Sequence, residues 1–406
     1  MPRNGTLPTR GPWALDLLNF FVADVQTGFG PFVAVYLTTH KWTQVQIGLA
    51  LTLGTVVALI SQLPAGALVD AAHNKRITAG GALIGVIIAA LLLAIQPAEL
   101  PVMIAQTLHA FSSCVLTPAI AAISLHLAGH AALGERLGRN ARFASLGNGL
   151  AAAIMGATGA YLSSRAVFLL TAALCVPALM ALLAIGRGTH ARRQTTVQPF
   201  DWPGLQRLFS DRRLLIFAVC VLLFHLSNAA MLPLVGAAVT MRAGSFANII
   251  IAACIVAPQA VVALCSPSVG RSAAVRGRRP VLLLGWAALP LRGLLLAVLP
   301  GPWLPIAAQA MSGISAAVFG VMLPLLSADI TRGTSHFNLC MGALGLAVSL
   351  GAGLSTTLGG LIADEAGVRP AFAVLALVGA VATLVLWLAM PETQIVRQRN
   401  TEDSSD

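Results

Sequence analysis

The sequence predicts an all-α integral membrane protein with twelve transmembrane helices in two pseudo-symmetric six-helix halves. Three observations lead there. Of the 406 residues, 57% are hydrophobic and only 10% are charged, and the mean hydropathy is +0.84; a water-solvated fold of this size needs a more polar skin. The apolar residues come in long continuous runs, near the about 20 residues that a spanning helix requires, and not in the short alternating segments of a barrel. Lys and Arg collect in every second loop, the bias that sets topology in polytopic proteins.

Runs bounded by charges, Pro and Gly place the spans, in order, at roughly 13–37, 46–69, 77–96, 102–127, 141–163, 166–186, 214–240, 246–267, 281–299, 303–328, 337–363 and 369–390. The longest polar interruption, 187–213, carries Arg192, Arg193, Arg207, Arg212 and Arg213 with Pro199 and Pro203, and it divides the spans six and six. The expected organisation is an N-terminal half at 1–188, a cytoplasmic linker at 189–213, a C-terminal half at 214–392 and a cytoplasmic tail at 393–406.

With the N-terminus inside, the inner segments collect Arg3, Arg10, Lys75, Arg76, Arg136, Arg139, Arg142, the linker arginines, Arg271, Arg276, Arg278, Arg279, Arg332, Arg397 and Arg399. The outer segments hold Lys41, Arg165, Arg242 and Arg369. Both termini and the linker are therefore expected in the cytoplasm, which also requires an even number of spans. The net charge of +11 reads as topology, because no basic stripe interleaved with aromatics marks a nucleic-acid partner. The first apolar run is too long for the core of a cleavable signal peptide. Cys114, Cys175, Cys220, Cys254, Cys265 and Cys340 lie in apolar runs without paired spacing and read as small packing residues. His73, His126, His130, His190 and His336 lack zinc spacing, so no metal site is expected.

The halves echo each other. Gly147 and Gly156 in the fifth span have counterparts in Gly342 and Gly351 of the eleventh. Gln106 and His109 of the fourth span parallel Gln309 and Ser312 of the tenth, and Gln26 before Pro31 parallels Asn228 before Pro233. Four echoes in one order point to duplication, a common origin of transporter folds.

Between spans two and three the chain reads Gly66-Ala67-Leu68-Val69-Asp70-Ala71-Ala72-His73-Asn74-Lys75-Arg76. Between spans eight and nine Gly270, Gly277, Arg278 and Arg279 repeat the pattern, with Ala274 where the Asp would stand. These loops resemble the inner-loop signature of the major facilitator superfamily, and span count, linker and duplicated loop extend the resemblance over essentially the whole chain. It implies a secondary transporter whose halves rock about a central chamber lined by spans one, four, seven and ten. Gly66 permits close helix approach. Asp70 can pair with Arg136 or Arg139, or face the positive N-terminal end of span eleven near residues 335–338. Either contact would hold the halves together on the inner side. Ordinary positive-inside decoration accounts equally well for Lys75, Arg76, Arg278 and Arg279.

Ionisable groups inside spans are functional candidates by default. Asp24 lies about 16 Å into the first span at 1.5 Å per residue, and His109 and His225 reach similar depth in spans four and seven. The resemblance puts all three in one chamber. Asp24 is the first candidate for proton coupling and His109 the second, since burial and a neighbouring charge set such a group's proton affinity. A structural hydrogen bond is the alternative for each. Gln26, Gln106, His225, Asn228, Gln309 and Ser312 would form a polar belt for a solute or serve as interhelical glue. Asp16 reads as interfacial, and Arg292 as a charge with a structural partner. The fifth-span glycines Gly147, Gly149, Gly156 and Gly159 resemble an antiporter signature, but the Pro that ends it does not follow Gly156, and close packing against a neighbouring helix also accounts for them.

The functional expectation is a bacterial inner-membrane transporter that moves a small organic solute by alternating access. Proton-coupled efflux is favoured, with proton-coupled uptake of a small metabolite as the alternative. A polytopic enzyme or scaffold is a distant third, because no catalytic cluster marks either membrane face. The proton gradient would supply energy without a cofactor, as no phosphate-cradling loop is present. The expected partners are the lipid bilayer, the solute and protons, with the protein acting as a monomer.

Overall fold

A computed structural model describes residues 10–27, 29, 31–185, 202–242, 247–298 and 304–393, all of the regular structure among them being helical. Among these residues, fourteen helices build the twelve spans and part of the linker. The first span is broken into α1 (Arg10–Thr27) and α2 (Pro31–Thr39). Then follow α3 (Gln44–Ala71), α4 (Lys75–Ile95), α5 (Glu99–Tyr161) and α6 (Ser164–Ala184). A short linker helix, α7 (Trp202–Ser210), precedes the seventh span, itself broken into α8 (Arg212–Asn228) and α9 (Met231–Arg242). The remaining spans are α10 (Ala247–Arg276), α11 (Arg278–Val298), α12 (Leu304–Ile330), α13 (Phe337–Ala366) and α14 (Val368–Ala389).

Among the described residues, ten helices are long and apolar enough to cross a membrane, and one of these, α5, is 63 residues long. A straight helix of that length would measure about 95 Å, roughly three times the hydrocarbon thickness. It is instead a hairpin. Gly129, at φ 65° and ψ 171°, leaves helical geometry, and Asn140 Nδ2 donates to Ser124 Oγ at 2.7 Å across the fold. That conformation is open to glycine and nearly closed to other residues. Spans four and five are therefore the two arms of α5. The loop expected at 128–140 is replaced by helix on both sides of one glycine, because the polar residues there find partners within the protein.

Local chemistry fixes the other ends. Thr43 and Gln46 form a capping box at the start of α3. The side chains of Asn74, Ser163 and Asp211 cap α4, α6 and α8. Gly277 and Gly367, both with positive φ, turn α10 into α11 and α13 into α14.

The largest apolar core is built entirely from residues between Ala14 and Ile185. A second core draws mainly on residues from Leu208 to Met390, joined by Ala121, Leu133 and Leu137 of α5. The two halves meet chiefly along two helix pairs, α3 with α13 and the second arm of α5 with α10, with α12 adding further contacts to α5. Small residues set both seams. A Cβ on Gly66 would collide with the backbone of Asn338, and one on Gly342 with the carbonyl of Gln62. In the other seam Gly134 and Gly270 exclude each other's Cβ, and Gly138 abuts the carbonyl of Ser266.

These contacts correct the register of the internal echo. Gly134, Gly138 and Gly147 relate to Asn338, Gly342 and Gly351 by one constant offset, the same that relates Gly66 to Gly270 and Asp70 to Ala274. Gly147 packs on the Phe20 carbonyl of the first span, and Gly351 on the Leu222 carbonyl of the seventh. The equivalent of the Gly342/Gly351 pair is thus Gly138/Gly147 and not Gly147/Gly156. A Cβ on Gly156 would meet open space.

Candidate functional site

The seam between α3 and α13 ends on Asp70. Its carboxylate accepts hydrogen bonds from the Asn338 and Leu339 backbone N–H groups at 3.0 and 2.7 Å, and from Asn338 Nδ2 at 2.7 Å. An anion at the N-terminus of a helix meets unsatisfied donors and the positive end of the macrodipole. Asp70 thus takes the second of its two expected partners. The first pair, Arg136 and Arg139, is engaged by Asp16. The other seam has no counterpart to that carboxylate on α10, where Ala274 stands. There Ser145 Oγ lies 2.8 Å from the Gln259 carbonyl and 2.6 Å from Gln259 Oε1, and Arg142 Nε donates to the Ala263 carbonyl at 2.9 Å.

The basic residues of the duplicated motif act as caps. Lys75 Nζ reaches the carbonyls of Val69, Asp70 and Ala72 at 2.5, 2.9 and 2.8 Å, closing the C-terminus of α3. Arg76 donates to the Leu182 and Leu183 carbonyls at the end of α6. Arg279 does the same for Trp387 of α14. Arg278 pairs with Asp329 at 2.9 Å, while the backbone N–H groups of Arg278 and Arg279 donate to Glu392. Cations at helix C-termini are favoured by the dipole, so these residues do more than decorate a loop.

Asp16 corrects a reading made from position alone. Placed near the end of the first span, it is fully buried and bound by both Arg136 and Arg139. Arg136 also donates to the Pro12 carbonyl at 3.1 Å and to Asn140 Oδ1 at 2.8 Å. The cluster ties α1 to both arms of the α5 hairpin. A run of Arg136, Arg139 and Arg142 on one helix end was the available signal that a buried acid stands opposite.

Deeper in the bundle the polar candidates divide. Asp24 and Gln26 lie in the last turns of α1, and their side chains fall outside the described residues. His109 is stacked against Phe29, which stands at the break of the first span, with ring centroids 3.8 Å apart and planes 8° from parallel. Ser113 Oγ lies 3.3 Å from His109 Nε2. His225 stands edge-on to Phe319 at 4.8 Å, and its Nε2 is buried without a hydrogen-bond partner among the described residues. Gln106 is 4% exposed, packed near Gly54 of α3. Asn228 and Gln309 both turn their amide oxygens to Arg292, at 2.6 and 2.9 Å from the guanidinium. Ser312 Oγ donates to the Gln309 carbonyl of its own helix at 2.6 Å. Arg292, assigned above to a structural partner, thus gathers two residues of the expected polar belt.

Comparison with known proteins agrees with this architecture. The sequence profile of the Major Facilitator Superfamily matches residues 15–258 and 243–405. Two Mycobacterium tuberculosis proteins, from the CDC 1551 / Oshkosh and H37Rv strains and described as uncharacterised MFS-type transporters, are each 35% identical over 398 residues. The match spans 95% of this chain and 94% of each relative. Among solved structures, the fucose:proton symporter of E. coli superposes with a TM-score of 0.74 at 16% identity, covering 95% of this chain and 99% of the symporter. The same symporter in its outward conformation gives 0.72 at 15% identity, with the same coverage. A human organic anion transporter gives 0.71 at 16% identity, over 94% of this chain and all of that one. Profile, relatives and fold converge, and the chain belongs to the major facilitator superfamily.

Proposed function

We propose that this transporter moves a small organic solute across a bacterial inner membrane by alternating access, driven by the proton gradient, and that it works in the direction of efflux. One observation carries the alternating-access part. The two halves touch through matched small-residue seams at the arginine-rich end of the bundle. On the far stretches of the same helices, a Cβ at Gly48, Gly156, Gly353 or Gly360 would meet no neighbour within 4 Å, so no comparable seam is built on these glycines. With the arginine-rich end, both termini and the linker taken as cytoplasmic from the loop charges, the packed inner seams support an outward-facing reading. Rocking the halves must open both seams while the far ends close.

Asp24 is the proposed coupling residue, with His109 second. A carboxylate about halfway through a span can take a proton from one side and yield it to the other as its surroundings change. The protein acts as a monomer and leaves the solute chemically unchanged. Glycines in the second arm of α5 favour efflux. Uptake is the second reading, because the same fold serves a fucose:proton symporter in E. coli.

Asp24→Asn tests the coupling. The expected outcome is loss of gradient-driven flux in proteoliposomes with folding and solute exchange retained. Gradient-driven accumulation at the wild-type level would remove Asp24 from the mechanism.

A further inference from the structure

Among the described residues, Arg292 is a buried cation without an anion. It is 2% exposed, and its two hydrogen-bonded partners, Asn228 and Gln309, are neutral amides. No carboxylate pairs with it among the described residues, whereas the other two buried arginines, Arg136 and Arg278, each hold an aspartate. Arg292 Nε and Gln309 Nε2 are also buried without a partner. A guanidinium stays protonated in proteins, and a buried charge is costly unless it is paired. Two amide dipoles and two idle donors therefore leave a site short of one negative charge.

Its position gives access. Asn228 closes α8, immediately before the break in the seventh span, and it is only partly buried. Beyond the break, the Ala230 N–H donates to Ser355 Oγ at 3.0 Å instead of relying on continuous helix alone. An amide side chain at a helix end can swing aside at little cost to the backbone.

We propose that Arg292, with Asn228 and Gln309, is the anion-recognition element of the transport site, and that the solute carries a single negative group of the carboxylate or sulfonate kind. This rests on the transporter reading above. A planar oxyanion matches the guanidinium fork. It would replace Asn228 Oδ1 at the guanidinium and engage Arg292 Nε and Gln309 Nε2. The charge of the site is then balanced only while solute is bound.

The test uses purified full-length protein and two variants, Arg292→Gln and Gln309→Glu, the second of which builds the missing carboxylate into the site. Thermal unfolding is followed with 4-hydroxybenzoate, hexanoate and benzenesulfonate, against the corresponding amides at equal ionic strength. The expected result is a rise in wild-type Tm of about 3 °C or more with at least one anion and none with its amide. Gln309→Glu should raise Tm without ligand and abolish the anion response, and Arg292→Gln should abolish the response. If Arg292→Gln fails to fold, Gln309→Glu carries the comparison. Absence of any anion response in the wild type, or an equal response in Gln309→Glu, overturns the proposal. Accumulation of carboxylates, amides and amines in overexpressing cells separates it from the reading it rests on. Altered flux of amides or amines alone ends the anion proposal and leaves the transporter standing, and no altered flux in any class counts against both.

Discussion

Asp16 lies six residues along α1 and beside a membrane boundary, where an acid ordinarily meets water. Its burial follows from what the α5 hairpin brings to it, and no local pattern in the first span announces that. Removing one partner of a buried pair leaves the other charge stranded, at a cost of about 3–5 kcal/mol. Asp16→Asn should therefore lower the thermal stability of the purified protein sharply, while Arg207→Gln at an exposed position should leave it nearly unchanged. Arg292 was equally hard to read. Its depth in an apolar run was visible, but which helices it joined depended on the direction of one long side chain. By contrast, Asp70 was legible because its sequence context, a small residue one turn earlier and a basic turn after it, is local.

At the scale of elements, the spans were legible because hydrophobicity accumulates over about 20 residues and tolerates local error. Their ends were less so. The polar stretch after 127 looks like a loop when each residue is weighed for itself. Ser124, Asn140, Arg136 and Asp16 satisfy one another across the hairpin, and helix continues to within one residue of the turn. Gly129 is the residue that makes this possible. Gly129→Ala should destabilise the protein by about 1–3 kcal/mol, the range for a non-glycine residue forced into that backbone region. A fall in the detergent-solubilised Tm, with unchanged secondary-structure content, would show it. The duplicated landmarks were visible too, but glycines recur too often in apolar helices for sequence spacing alone to settle their register. Backbone contacts at Gly138 and Gly342 settled it.

Across the whole molecule, the closed end is held by two seams of related shape and different chemistry. The α3 seam places a carboxylate on three donors of α13, and hydrogen bonds to a charged group contribute about 1.5–3 kcal/mol each. Asp70→Asn should shift the conformational balance toward opening of this end by roughly tenfold or more. Distances between spin labels on the first turns of α13 and the last turns of α3 would measure it. Gly66→Val should act in the same direction through shape alone, because its side chain cannot fit beside the Asn338 backbone.

The α5 seam has no carboxylate at the place of Ala274, and it depends on the fit of its glycines, the Ser145–Gln259 contact and the hydrogen bond of Arg142 to the Ala263 carbonyl. Unequal fastenings on a two-sided door rarely release together. The carrier should pass through a half-unlatched intermediate, parted along one helix pair and still joined along the other. Turnover would then be governed by whichever fastening lets go last, and substitutions in either seam would shift the resting ratio of states while differing in their effect on the rate of exchange. Labelling both seams in one molecule and timing their separation would reveal the order.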